Sequence, residues 1–415
     1  MIDKLTTDYD VIIIGAGPSG AVAGAILIQQ GLSVLIIEKQ YFPRFSIGES
    51  LLPQCMAFLK QAQLDHVVDQ YAEKFGFQFK NGAAFHKQGC DSKFNFTEKF
   101  SAGPGTTYQV KRADFDKLLA DETESKGVEI RYGHQVNKVN SLDPIVSLQV
   151  ADEQAQSYQV SGKFLLDGSG FGRVIPRLLN LEVPSMLPMR QSFFSHIKDN
   201  ISNGHFDRNK ILITVHPQYH DVWYWLIPFS DGTASIGVVG LPERFNDDLT
   251  VQQRLFSFIK QDPNLNSLLK NARFLGEGNT IKGYSSDVTS LYGKNYALLG
   301  NAGEFLDPVF SSGVTIAMKS AVLAAPLVAK QITGYNVDWH KEYSEPLKFG
   351  VETFKVFVNA WYDGSFQDVV FYDQHNQSVC EMLSSILAGY AWDDKNPFVA
   401  KSKRRLSVLA EVCQG

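Results

Sequence analysis

The chain has 415 residues, 44% of them apolar and 20% charged, and a formal charge of −5. That length exceeds one ordinary hydrophobic core, so two or three interlocked domains are expected. The negative balance weighs against a nucleic-acid partner, whose phosphates call for a basic face. KSKRR at 401–405 is short enough to be a solvated face. The four cysteines, Cys55, Cys90, Cys380 and Cys413, make no CxxC pair and no metal-ligand spacing, which fits reduced thiols.

In chain order, the first ten residues carry charges and no long apolar run, unlike a secretory signal. Residues 9–39 read YDVIIIGAGPSGAVAGAILIQQGLSVLIIEK, the strongest pattern in the chain. Val11 to Ile14 are a β-branched run suited to a buried parallel strand. Gly15, Gly17 and Gly20 then supply a tight turn, room for a pyrophosphate and close helix–strand packing. Pro18 and Ser19 lie between them. A helix from Ala21 to Gln30 would offer its N-terminal N–H groups to phosphate. Gly31 ends that helix, and a second strand ends on Glu38, near the spacing of an acid that binds a ribose diol. Only one such fingerprint occurs, so no separate pyridine-nucleotide domain is expected.

Residues 108–139 read as strand, helix and strand, with Arg112 and Asp116 at the helix entrance. Residues 163–179 give a buried strand and a glycine-rich turn at Asp167, Gly168, Ser169 and Gly170. His216 and His220 lie four apart, but Pro217 between them opposes a shared helical face, so no metal is expected. In VWYWLIP, Trp223, Trp225 and Ile227 alternate with Tyr224 and Leu226, as in a strand covered on both faces. Residues 295–328 run strand, turn, loop and a long helix from near Gly313, whose N-terminus suits a flavin edge or an anion. Neither the apolar N-terminal stretch nor AVLAAPLVAK (321–330) reads as a membrane span, the first because Gly and Pro interrupt it, the second because it is short. A soluble, cytoplasmic protein is expected. After residue 335 the chain turns aromatic with helical spacing and is expected to cap a cavity.

Four stretches carry a resemblance that spans roughly residues 8–330. FPRFSIGESLLP (42–53), GFQFKNGAAF (76–85), WYWLIP and FLDPVFSSG (305–313) resemble the flavin-dependent halogenases, in the branch that acts on phenolic, pyrrole or carrier-tethered substrates. These lie within the para-hydroxybenzoate hydroxylase-like FAD oxidoreductases. The motif matches are Trp223, Trp225, Ile227 and Pro228 in W-x-W-x-I-P, and Phe305, Pro308, Ser311 and Gly313 in F-x-x-P-x-x-S-x-G. Two positions depart from the pattern. Asn301 follows Gly300 where relatives carry aspartate, and Ser46 stands where histidine is common.

The resemblance implies an α/β fold: a Rossmann-type FAD domain, an inserted mostly antiparallel sheet and a C-terminal helical region. The FAD domain would comprise 1–75, 111–175 and 285–334, the sheet domain 76–110 and 176–284, and the helical cap 335–415. FAD would be held by Gly15, Gly17, Pro18, Ser19, Gly20, Glu38, Lys39, Arg44, Ser50, Arg112, Val136, Asp167, Gly168, Asn301, Pro308, Gly313 and Val314. Reduced FAD and O2 would drive oxidation of chloride or bromide to hypohalous acid. Lys80 would deliver the halogen, by hydrogen bonding or as a haloamine; the segment on its own reads more readily as a solvated strand lysine. Ser312 and Gly313 would hold halide, while Trp223, Trp225 and Phe310 would partition flavin from an aromatic or acyl-carrier-tethered substrate. A separate flavin reductase would supply electrons. Two other readings stand beside this one: an aromatic hydroxylase needing no lysine, and a geranylgeranyl-reductase-like enzyme with an apolar tunnel that Lys80 does not face.

Overall fold

The computed structural model describes residues 7–202, 204–245 and 248–414. Its first sheet grows from the β-branched runs. Val11, Ile12 and Ile13 are fully buried because Tyr9–Ile14 has a parallel neighbour on each side, Val34–Glu38 and Ser157–Asp167. Glu129–Tyr132 and Tyr296–Leu298 extend the parallel set at either edge. The helix after the first strand is Pro18–Gln29, three residues earlier than the expected Ala21, since proline is at home in a first helical turn.

The long helix Gly313–Ile332 lies against Pro18–Gln29 and Gln54–Gln61. By length and composition it could cross a membrane. Here Ala321, Ala324, Ala325 and Val328 are wholly buried in the core, and they account for its apolar character.

The second sheet runs, in order, Arg273–Phe274, Gln191–Lys198, Thr233–Gly240, Trp223–Pro228, Lys210–Val215, Gly82–Lys87 and Cys90–Asn95. All of these pairs are antiparallel except Lys210–Val215 with Gly82–Lys87. Every residue of Trp223–Pro228 is buried, as two covered faces require. Trp223, Trp225 and Ile227 join the large core, and Tyr224 and Leu226 a smaller one beneath Val251–Gln261.

Residues 76–85 do not form one strand. Gln78–Lys80 pairs with Thr107–Gln109 in a separate two-stranded sheet, and Gly82–Lys87 joins the larger one. Between them Asn81 pairs its backbone with Asn209 and Phe96. The last part of the chain is helical, with Glu345–Tyr362, Ser365–Val370, Gln377–Leu387 and Ser402–Gln414 as its main elements. Its aromatic side chains meet the rest of the molecule where Trp361 packs on Phe85 and Phe310.

Candidate active site

A cavity of about 500 Å³ opens at the C-terminal ends of the parallel strands, the place where doubly wound sheets bind nucleotides. Gly15, Gly17, Pro18 and Ser19 line one end of it, with Glu38 and Lys39 beside them. A Cβ on Gly20 would lie 1.9 Å from the Gly15 carbonyl oxygen, so only glycine lets helix and turn meet there. A Cβ on Gly17 would find nothing nearer than the Arg44 guanidinium at 3.6 Å. Glu38 accepts from the Ala16 and Gln40 amides at 2.8 and 2.9 Å, which ties the second strand to the glycine turn.

Two cationic side chains stand over the same cavity. Asp116, fully buried, accepts from Arg44 at 2.9 Å and from Arg112 through Nε at 2.7 Å and Nη2 at 2.9 Å. One carboxylate holding two guanidiniums leaves one uncompensated positive charge facing the cavity, which suits a pyrophosphate. Arg112 also donates to the Ile47 carbonyl at 2.6 Å, fixing the 42–53 loop. Gly48 in that loop has φ +100°, and a Cβ there would press on Arg112 at 3.1 Å.

Trp223, Trp225, Ile227 and Ile211 line the cavity from the second sheet, and Asn301, Pro308, Ser311, Gly313 and Val314 from the loop and long helix. The Asn301 Oδ1 atom is buried without a hydrogen-bond partner among the described residues. It is an acceptor waiting for a donor from something in the cavity, such as a ribityl hydroxyl. A Cβ on Gly313 would crowd Phe305 at 3.1 Å. These features fit FAD: a backbone cradle, a net positive charge for its phosphates and an orphan acceptor.

Glu49 has a similar orphan. It is 1% exposed and lines the cavity; Oε1 meets His196 Nε2 at 2.6 Å, while Oε2 has no partner among the described residues. Burial alone would lower the pKa of His196, but the hydrogen bond and charge of Glu49 outweigh it and hold the imidazole above its ordinary value. Phe45 and Phe229 meet this imidazole edge-on. Glu49 and His196 are 147 positions apart, so only the fold reveals the pair, although Glu49 sits in the quoted loop.

Lys80 is 1% exposed. Its Nζ donates to Ser50 Oγ and to the Leu51 carbonyl, both at 2.8 Å, and lies 5.6 Å from the Phe96 ring centre. Burial brings its pKa down to about 7, opposed by the nearby Cys55 thiol. Lys80 is not itself on the cavity wall, but Ser50 is. Ser50 and Lys80 are held by one strand, since Ser50 bridges Gln109 and Lys80 pairs with Thr107.

Other expected site residues fall behind the wall. Arg112 and Val136 line it, as do Gly168, Arg44 and Ser50. Gly20, Asp167, Phe310 and Ser312 do not. Asp167 accepts from the Ser169 and Ile175 amides at 2.9 and 2.7 Å and so shapes the glycine-rich turn. Phe310 packs edge-on against Trp361 and Phe366 of the C-terminal helices. Ser312 is 2% exposed immediately before the long helix.

The FAD binding domain family model matches residues 8–234. The chain is 31% identical over 339 residues to a 1H-pyrrole-2-carbonyl-[peptidyl-carrier protein] brominase of Pseudoalteromonas luteoviolacea, covering 80% of this chain and 79% of the other. A 1H-pyrrole-2-carbonyl-[peptidyl-carrier protein] chlorinase from Pseudomonas fluorescens is 27% identical, covering 86% of this chain and 84% of its own. Among solved structures, a flavoprotein/dehydrogenase from Cytophaga hutchinsonii superposes with a TM-score of 0.93 at 40% identity, over 98% of this chain and 99% of that one. A flavin-dependent brominase superposes with a TM-score of 0.84 at 25% identity, over 96% and 98%. With the cavity, these matches identify FAD as the cofactor.

Proposed function

The chain belongs to the flavin-dependent halogenase family, and on that premise we propose that it halogenates an electron-rich aromatic ring, phenolic or tethered to an acyl carrier, through Lys80. Bound reduced FAD, with O2, supplies the oxidising equivalent that turns halide into hypohalous acid. The observation that carries the reading is the environment of Lys80. Its two oxygen acceptors engage two N–H bonds, and burial brings its pKa down to about 7, which favours a neutral amine with a lone pair in the remaining position. The lysine amine attacks halogen, an N–X bond replaces an N–H bond and water leaves. The aromatic ring then takes the halogen and loses a proton, which restores the amine.

The other residues surround this step. Gly313, at the start of the long helix, lines the cavity, and its N–H is our choice for halide, with Ser312 behind it. Trp223 and Trp225 exclude the organic substrate from the flavin. The division into an FAD domain (1–75, 111–175, 285–334), a substrate sheet (76–110, 176–284) and a cap (335–415) belongs to the same reading. So do a cytoplasmic setting and a separate flavin reductase, which the single nucleotide fingerprint supports.

One observation favours a second reading, double-bond reduction by hydride from the flavin: Lys80 stands behind Ser50, not on the cavity wall. The deciding experiment supplies chemically reduced FAD, O2 and bromide with a panel of phenols and a carrier-bound pyrrole, read by mass spectrometry. Bromine incorporation is expected. A gain of oxygen would indicate hydroxylation, and anaerobic gain of two hydrogens on a prenyl substrate would indicate reduction.

A further inference from the structure

The two tryptophans that line the cavity are anchored differently. Trp225 Nε1 donates to Ser235 Oγ at 3.1 Å, on the strand next to its own. Trp223 Nε1 instead donates to the Tyr362 hydroxyl at 2.8 Å. Tyr362 is the last residue of helix Glu345–Tyr362, 139 positions away. Its own proton goes to the Asp307 carboxylate, 3.0 Å from each oxygen, a single donation shared between the two. Asp307 directly precedes Pro308 on the cavity wall, and it also accepts from the Val309 amide at 3.0 Å and the Tyr284 hydroxyl at 3.4 Å.

The ring of Tyr362 is fixed as firmly as its hydroxyl. The Arg190 guanidinium carbon lies 3.2 Å above the ring centre, and Arg190 is 6% exposed. Burial raises the Asp307 pKa to about 6, while the Val309 amide, Arg190 and the two tyrosines favour its ionised form, the stronger acceptor. Three chain regions thus meet at one phenol: the wall strand, the flavin loop and the C-terminal helices.

We propose that Tyr362 is a positioning residue that sets the pose of Trp223, so that the barrier between flavin and substrate is complete only when the C-terminal helices are docked. This rests on the halogenase reading for its consequence in turnover but not for its geometry. Without the hydroxyl, the indole N–H of Trp223 loses its acceptor and the ring is released from the flavin loop. Oxidant then escapes to solvent before reaching a substrate.

The test uses the FAD-loaded full chain and Tyr362→Phe, which keeps the ring beneath Arg190 and removes only the hydroxyl. Tyr343→Phe is the control, since that tyrosine is also inside the protein, fully buried, but its hydroxyl donates to the Leu298 carbonyl away from the wall. Tryptophan emission and its quenching by oxidised FAD are measured in wild type, Tyr362→Phe, Trp223→Phe and the double variant. The expected result is a changed emission in Tyr362→Phe that vanishes on the Trp223→Phe background, with FAD affinity unchanged. In turnover, the ratio of peroxide and hypohalite released to product formed should rise by roughly tenfold, the scale of one charge-assisted hydrogen bond. An emission change that persists without Trp223, or one matched by Tyr343→Phe, overturns the proposal. If wild type forms no halogenated product, the halogenase reading fails while the emission cycle still decides the role of Tyr362. If Tyr362→Phe does not fold, Asp307→Asn, which keeps an oxygen for the Val309 amide, is put through the same cycle with the same criteria.

Discussion

Lys80 Nζ and Ser50 Oγ lie 2.8 Å apart, with the lysine behind the cavity wall and the serine on it. The amine is thus one side chain removed from the flavin space. With its pKa brought to about 7 by burial, halogen transfer through a free amine should rise as pH increases through neutrality. The rate of bromination of a supplied phenol, measured from pH 6 to 9, should show this limb, and Lys80→Met should lose product while retaining FAD absorbance. A rate that falls over that range would assign the ammonium form as the working one.

Gly17 and Gly20 separate two effects usually lumped together. Gly20→Ala drives a Cβ into a backbone carbonyl, so it should lower the melting temperature of the apoprotein, by an amount corresponding to about 1–3 kcal/mol. Gly17→Ala meets no backbone and has an ordinary φ of −68°, so the apoprotein should melt like wild type. Its FAD dissociation constant, from flavin fluorescence, should nevertheless rise about tenfold or more through crowding at the phosphates. Equal losses of melting temperature in both variants would contradict this division.

His196 is held above its ordinary pKa by Glu49 after overcoming the opposing effect of burial, so the folded state binds its proton more tightly than the unfolded chain. The stabilisation is therefore complete below the unfolded histidine pKa and is lost as pH rises through the folded one. Comparing melting temperatures of wild type and His196→Gln across pH 5 to 9 should give a gap at acid pH that closes at alkaline pH. A gap that widens with pH would reverse the assignment.

Gly237 faces Trp225 across the sheet, where a Cβ would sit 2.3 Å from the indole ring. Gly237→Ala should displace that ring into the cavity. Weaker FAD binding in titration is expected, with Gly276→Ala, whose Cβ meets nothing, as the neutral comparison. Unchanged affinity would place the indole's freedom on the other side.

Much of this architecture is written locally. The glycine turn is readable because a Cβ on Gly20 would strike the Gly15 carbonyl five residues earlier, and Gly15 itself turns the chain at φ +90°. Trp223 to Pro228 is readable because its unbroken apolar run supplies side chains for two covered faces, and every one of its residues is buried. The segment around Lys80 reads on its own as a solvated strand, yet Lys80 is buried, and the break at Asn81 depends on Asn209 and was not visible. Glu49 with His196, and Trp223 with Tyr362, lie well over a hundred positions apart and have no local spacing to announce them. The early helix start at Pro18 reflects a proline tolerated where the N–H is spare.

Lys80 belongs to neither large sheet. It rides on Gln78–Lys80, which pairs with Thr107–Gln109 in a two-stranded sheet, and that same second strand also bridges Ser50. The amine and the Ser50 hydroxyl therefore form a small cassette held by a strand outside both large sheets. A lineage could discard or retune the cassette by substitution at one strand and still inherit an intact flavin scaffold. That modularity offers a physical reason why one architecture can serve both halogen transfer and plain redox chemistry.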